Sequence, residues 1–154
     1  MAINKKGVRG DEHRVYRDTA GNYTTPTWSE MTSLKMTGFD LQRAVKEIIS
    51  RLSKYKANRL GKIEIKIPFS ASYHKADPDR EAILAAAVAD PATDLTVGLA
   101  DGAIATSGTV YHKLSVLVSN YKEDWKDDDI VEVSGEFVLG DVFTNAPSMS
   151  NTVA

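Results

Sequence analysis

Imidazoles are the first groups to test for chemistry in this 154-residue chain, because His13, His74 and His112 could each serve as a general base or a metal ligand. Their separations match no metal-ligand spacing, and His74 and His112 fall in or beside alternating stretches whose polar face they simply occupy. Asp127, Asp128 and Asp129 cluster carboxylates that Ca²⁺ or Mg²⁺ would accept. They lack the spaced D-x-D-x-D-G pattern and the distant glutamate of an EF-hand, and read as a solvated acidic turn. Asp77 and Asp79 resemble an acid–base pair, yet Pro78 between them and the alanine-rich run that follows explain both as the start of a helix. Ser107, Gly108 and Thr109, like Asp101 and Gly102, echo fragments of nucleophile or phosphate loops without the strand–loop–helix setting those loops need, so both read as hairpin turns. No catalytic, cofactor-binding or metal-ligating set emerges, and the expectation is a protein that is not an enzyme and needs no cofactor.

Charge is more informative. Residues 43–66 hold Arg43, Lys46, Arg51, Lys54, Lys56, Arg59, Lys62 and Lys66 against Glu47 and Glu64, a local net of +6. Residues 120–141 hold Glu123, Asp124, Asp127, Asp128, Asp129, Glu132, Glu136 and Asp141 against Lys122 and Lys126, a local net of −6. In a chain of formal net charge −2, two opposed fields of that size suit a molecule that binds copies of itself, one copy's basic face meeting another's acidic edge. Within one protomer the same charges could also meet. The basic stretch at 54–66 has a second use, lying along a phosphate backbone, and the acidic hairpin a second place, facing a lumen where it would repel passing DNA. Trp28 and Trp125 are not interleaved with the basic run, so a stacking surface for single strands is not indicated; Trp28 reads as core and Trp125 as an exposed anchor of the kind that buries at an interface.

Bulk numbers bound the class. A length of 154 residues with 42% hydrophobic composition fits a single domain over 1–154, with a core at about 14–143 and flexible, polar arms at 1–13 and 144–154. The sequence pI near 5.9 argues against wholesale coating of nucleic acid. No cysteine is present, so there is no disulfide or thiolate zinc site. Without an apolar leader or a stretch of roughly 18 apolar residues, the expectation is a soluble protein with no membrane partner.

The elements that must carry these charges follow from periodicity. Residues 14–17 and 23–27 flank a turn-forming cluster and read as a hairpin, and 28–37 as a loose strand. Residues 62–73 alternate cleanly, with Ile63, Ile65, Ile67, Phe69, Ala71 and Tyr73 on one side, which marks a half-buried strand. Asp77 caps a helix at about 78–89 that Pro91 stops. Strands follow at 94–99, 109–119 and 130–139, with Gly135 marking a bulge or a close packing point. Leu41, Val45, Ile48, Leu52 and Tyr55 recur at helical spacing, so periodicity alone makes 40–55 a helix. The sum is a mainly β (α+β) chain: a β-sandwich or open barrel with one flanking helix.

Taken in order, Trp28–Ser29–Glu30, the run Ser50-Arg51-Leu52-Ser53-Lys54-Tyr55-Lys56, the strand at 62–73, Asp77-Pro78-Asp79 before the single helix, Val97-Gly98-Leu99-Ala100-Asp101-Gly102 and the paired strands around the Tyr121-to-Asp129 turn resemble bacteriophage tail tube proteins over about residues 28–140. That resemblance implies a two-sheet sandwich whose sheet joins its neighbours' around a hexameric ring, with rings stacked into a channel for DNA that is not specifically bound. It turns 43–55 from helix into a strand and extended loop, intermolecular sheet overriding local propensity. It places the protein in the tail of the virion, assembled in the host bacterial cytoplasm, with itself, a tape measure, a terminator and a baseplate as partners. Arg51, Lys54, Lys56, Arg59 and Lys62, and opposite them Trp125, Asp127, Asp128 and Asp129, are then the candidate intersubunit contacts. A tube terminator, the inner tube of a contractile system, and a nucleic-acid-binding accessory protein using 54–66 are the alternatives.

Overall fold

A computed structural model describes residues 13–36, 38–49, 54–125, 130–140 and 144–154. The first hairpin pairs β1 (Arg14–Asp18) with β2 (Trp28–Glu30), Tyr16 opposite Glu30 and Asp18 opposite Trp28. Its second strand therefore starts later than the 23–27 expected. The reason is Asp18, whose carboxylate accepts from the amides of Ala20 at 2.9 Å, Asn22 at 2.6 Å and Thr27 at 2.8 Å, tying 19–27 into a loop. Pro26, with no N–H to donate, could not have extended the ladder.

The remaining strands are β3 (Leu34–Met36), β4 (Asp40–Ile48), β5 (Ala57–Ser72), β6 (Leu95–Ala100), β7 (Val110–Asp124), β8 (Glu132–Leu139) and β9 (Ser148–Thr152); the helix is α1 (Pro78–Val88). They form one antiparallel sheet in the order β2-β1-β6-β7-β8-β5-β3, with β4 also on β5 and β9 also on β7. The Met31 amide donates to the Val15 carbonyl at 2.8 Å, which continues the β1–β2 pairing by one position, and the sheet stays open. The mainly β class with one flanking helix thus stands, as a single open sheet rather than two separate ones. No described helix is long and apolar enough to cross a membrane.

Alternation decides which side is dry. Ile65, Ile67 and Phe69 of β5 meet Leu114 and Val116 of β7, Val97 and Leu99 of β6, and Phe137 of β8, and Ile83 of α1 joins them. Phe69 and Phe137 stack with centroids 4.4 Å apart. Gly135 lies directly opposite Phe69, and a Cβ there would stand 2.7 Å from the Phe69 ring and 3.4 Å from the Tyr121 Cα. The anticipated bulge exists too, on the partner strand: Ser119 faces Glu136 and Lys122 faces Ser134, so Asn120, at φ 57°, and Tyr121 share the place opposite Gly135. That extra residue changes the parity of β7. Leu114 and Val116 point inward before it, and Tyr121 and Glu123 lie on the inner side after it.

Residues 148–152 are not the free arm expected of a small, polar tail. They form β9, held by backbone bonds between Gly108 and Val153 and between Val153 and Thr109, both 2.9 Å, and by the Ser150 amide donating to His112 Nδ1 at 2.9 Å. The Tyr23 hydroxyl donates to the Ala146 carbonyl, pinning the approach to β9. Backbone pairing, which composition does not reveal, supplies the order. The amino-terminal arm at 1–12 lies outside the described residues.

Candidate assembly interface

Over 40–48 the strand prevails: β4 pairs with β5 from Asp40 opposite Lys66 to Ile48 opposite Ala57. A spacing of four suits a helix, but four is even, so Leu41 and Val45 also share one face of a strand. β8 covers the other edge of β5 only from Lys66 to Ser72. Between Ala57 and Ile65, then, β4 is the only partner of β5 among the described residues, and the two strands form a ribbon running past the body of the sheet.

The register makes this ribbon amphipathic, because residues directly opposite one another share a face. Leu41 with Ile65, Arg43 with Ile63, and Val45 with Leu60 continue the core-facing side of β5 outward. Ile65 is buried at 1% exposure, whereas Ile63 is 48% exposed, Leu60 56% and Val45 63%. The pairing shifts once, between Arg43 and Val45, where Gly61 lets Ala44 come close: a Cβ on Gly61 would meet the Ala44 Cβ at 3.2 Å. On the other face Lys46 stands directly opposite Arg59. Two like charges in that relation destabilise the isolated ribbon. Lys56 binds Glu47 at 3.2 Å and Lys66 binds Glu64 at 3.5 Å, while Lys46, Lys54, Arg59 and Lys62 make no ion pair among the described residues.

At the far end of β5 the chemistry inverts. Glu123 Oε1 accepts from the Tyr121 hydroxyl at 2.8 Å and from Arg80 of α1 at 3.4 Å, and Glu123 Oε2 accepts from Trp125 Nε1 at 3.1 Å. The Arg80 guanidinium also lies 4.2 Å over the Tyr73 ring, whose centroid is 5.4 Å from that of Trp125. Burial raises the Tyr121 pKa, and the neighbouring Glu123 carboxylate raises it further. Burial alone would lower that of Arg80; contact with Tyr121, Tyr73 and Glu123 outweighs it, and the net shift is upward. Asp124 stands directly opposite Glu132, a like-charge pair of the opposite sign to Lys46 and Arg59.

Lys54 and Lys56 flank the end of the ribbon, Arg59 and Lys62 lie on its β5 strand, and Trp125 sits at the opposite end of the sheet; Arg51, Asp127, Asp128 and Asp129 fall outside the described residues. At about 3.3 Å per residue, the 16 residues of β5 place these two groups roughly 50 Å apart. They do not pair within one protomer among the described residues; the cation that reaches the acidic hairpin is Arg80. Sequence reasoning did not single out Arg80, nor the exposed apolar face of Leu41, Val45, Leu60 and Ile63. The signal for part of that face was present in the apolar alternation at 62–73, which begins at Ile63, before the buried stretch that starts at Ile65. Arg80 carried no signal, since a helix arginine three residues past a cap is ordinary. Asp77 does cap α1, its Oδ1 accepting from the Asp79 amide at 3.1 Å, and Asp79 binds Arg17 at 2.8 Å, which leaves no free carboxylate pair there.

No family model and no curated protein matches this sequence. Solved structures do. The tail of an empty gene transfer agent particle with C6 symmetry superposes with a TM-score of 0.68 at 13% identity, over 94% of this chain and 100% of that one. The SPP1 tail tube gives 0.65 at 11% identity, over 96% and 81%. This chain has the tail tube fold. A third likeness, to the six-fold symmetrised baseplate of the anti-feeding prophage, has a TM-score of 0.64 at 9% identity over 92% and 95%. In this tail tube fold the basic ribbon and the acidic hairpin occupy opposite ends of one long strand.

Proposed function

We propose that this protein is the structural subunit of a phage tail tube, assembling into hexameric rings that stack into a channel through which DNA is delivered. The observation that carries the reading is the head-to-tail arrangement of β5: an amphipathic, basic ribbon at one end and an acidic hairpin at the other, on a tail tube fold. Complementary patches on opposite ends make a heterologous contact, which propagates instead of closing on itself as a two-fold dimer does. Around the ring, the edge of β5 between Ala57 and Ile65, which has no partner strand among the described residues, offers backbone groups for a neighbour's strand. DNA is not specifically bound, and a tape measure, terminator and baseplate complete the tail. Virion tails are the protein's destination and the host cytoplasm its place of assembly.

Electron microscopy of concentrated protein at low salt tests this directly: six-fold rings or tubes support it, and a protein that stays monomeric at every concentration overturns it. The likeness to a baseplate structure supports a related tail component as the second reading. Growth separates the two, since a tube subunit polymerises and a terminator stops at one ring.

A further inference from the structure

We propose that the Lys54-Tyr55-Lys56 end of the ribbon docks on the Trp125–Tyr73 platform of a second copy, with Arg80 and Glu123 holding that platform in place; the inference rests on the self-assembly reading above.

Trp125 is 66% exposed, and most exposed tryptophans would be ordered only at a cost. This one is ordered already. Its indole N–H is fixed on Glu123 Oε2 at 3.1 Å and its ring rests 5.4 Å from Tyr73, while the other Glu123 oxygen is held by Tyr121 and by Arg80, which itself sits over Tyr73. A rigid, exposed aromatic whose supports are part-buried has the character of a binding hot spot, which gains contact area at little entropic cost. The platform's rim is acidic, with Asp124 and Glu132 directly opposite each other.

The complementary shape is on the same chain. Tyr55 is 85% exposed between two lysines, roughly 50 Å along β5 from Trp125, so it cannot reach its own platform. Aromatic faces pair edge-on or offset, and a lysine beside a tryptophan adds attraction to the ring. Lys56 is tied to Glu47 at 3.2 Å, whereas Lys54 has no ion pair among the described residues and is the cation left for Asp124 and Glu132 of the next copy. Tip and platform match in aromatic character and are opposite in charge, and each end sets two like charges directly across a strand pair, Lys46 with Arg59 and Asp124 with Glu132.

The absence of cysteine makes the test clean. Two single variants, Lys56→Cys and Ile130→Cys, distinguishable by a mass tag, are mixed under assembly conditions and treated with a short bismaleimide. The expected result is a cross-linked mixed dimer, with Lys56→Cys alone giving almost none. Adding Tyr55→Ala to Lys56→Cys should lower the mixed yield about tenfold, the effect expected of losing one interface anchor, and Tyr55→Phe should retain it. Rings or tubes that form without the mixed cross-link, or a yield indifferent to Tyr55→Ala, overturn the docking while leaving the assembly reading intact. Capture of short duplex DNA by the tip in place of the cross-link also overturns it. If the unmodified protein forms no assembly at all, it is the assembly reading that fails.

Discussion

Arg80 shows how much can depend on one side chain that nothing in the sequence advertises. Its charge is taken up by Glu123, its plane by Tyr73, and both it and Glu123 are largely withdrawn from water, at 12% and 20% side-chain exposure. Removing one member of such a pair leaves the other charge poorly solvated. Arg80→Met should therefore lower stability in urea denaturation by about 3 kcal/mol, with Arg80→Lys recovering part of it. Tyr121 supplies a second test. Its folded-state pKa is raised, so the contribution of its neutral hydroxyl is fully present below the ordinary tyrosine range near 10 and is lost as pH climbs through the folded value. Stability should decline in alkali above about pH 10, and Tyr121→Phe should flatten that part of the profile.

Among the elements, the Asp77-capped helix, the alternating half of β5 and the close approach at Gly135 were legible from residues, because each rests on local geometry: a cap, a period of two, a missing Cβ. Gly135→Ala would press a methyl group into the Phe69 ring and should cost about 1–3 kcal/mol in thermal or urea unfolding. What the residues left open was decided between strands. Residues 40–48 satisfy a helical and a strand period at once, and only pairing with β5 settles which wins; the tail-tube resemblance, not periodicity, pointed the right way. β9 was hidden for a related reason, its order coming from main-chain bonds to 108–113 that small polar side chains do not announce. The ribbon's like-charge pair yields a prediction with opposed signs. Lys46→Glu places opposite charges at Lys46 and Arg59 positions, so the isolated protomer should melt slightly higher while its assembly requires more protein.

For the whole molecule, the two charged regions are informative because of where β5 puts them. Had they lain side by side they would neutralise one another in one protomer; at opposite ends of β5 they do not reach each other, and under the proposed assembly the contacts they make between protomers weaken as salt rises. Assembly should shift to higher protein concentration as ionic strength increases, while the melting temperature of the protomer changes little. Reversing Asp127, Asp128 and Asp129 to lysine should hinder assembly in the same direction without unfolding the protomer, as circular dichroism alongside sedimentation would record. The most direct measurement remains an image of the unmodified protein, concentrated at low salt, by electron microscopy. Stacked rings of six-fold symmetry are the predicted result, and a field of monomers at every concentration tried would contradict the account.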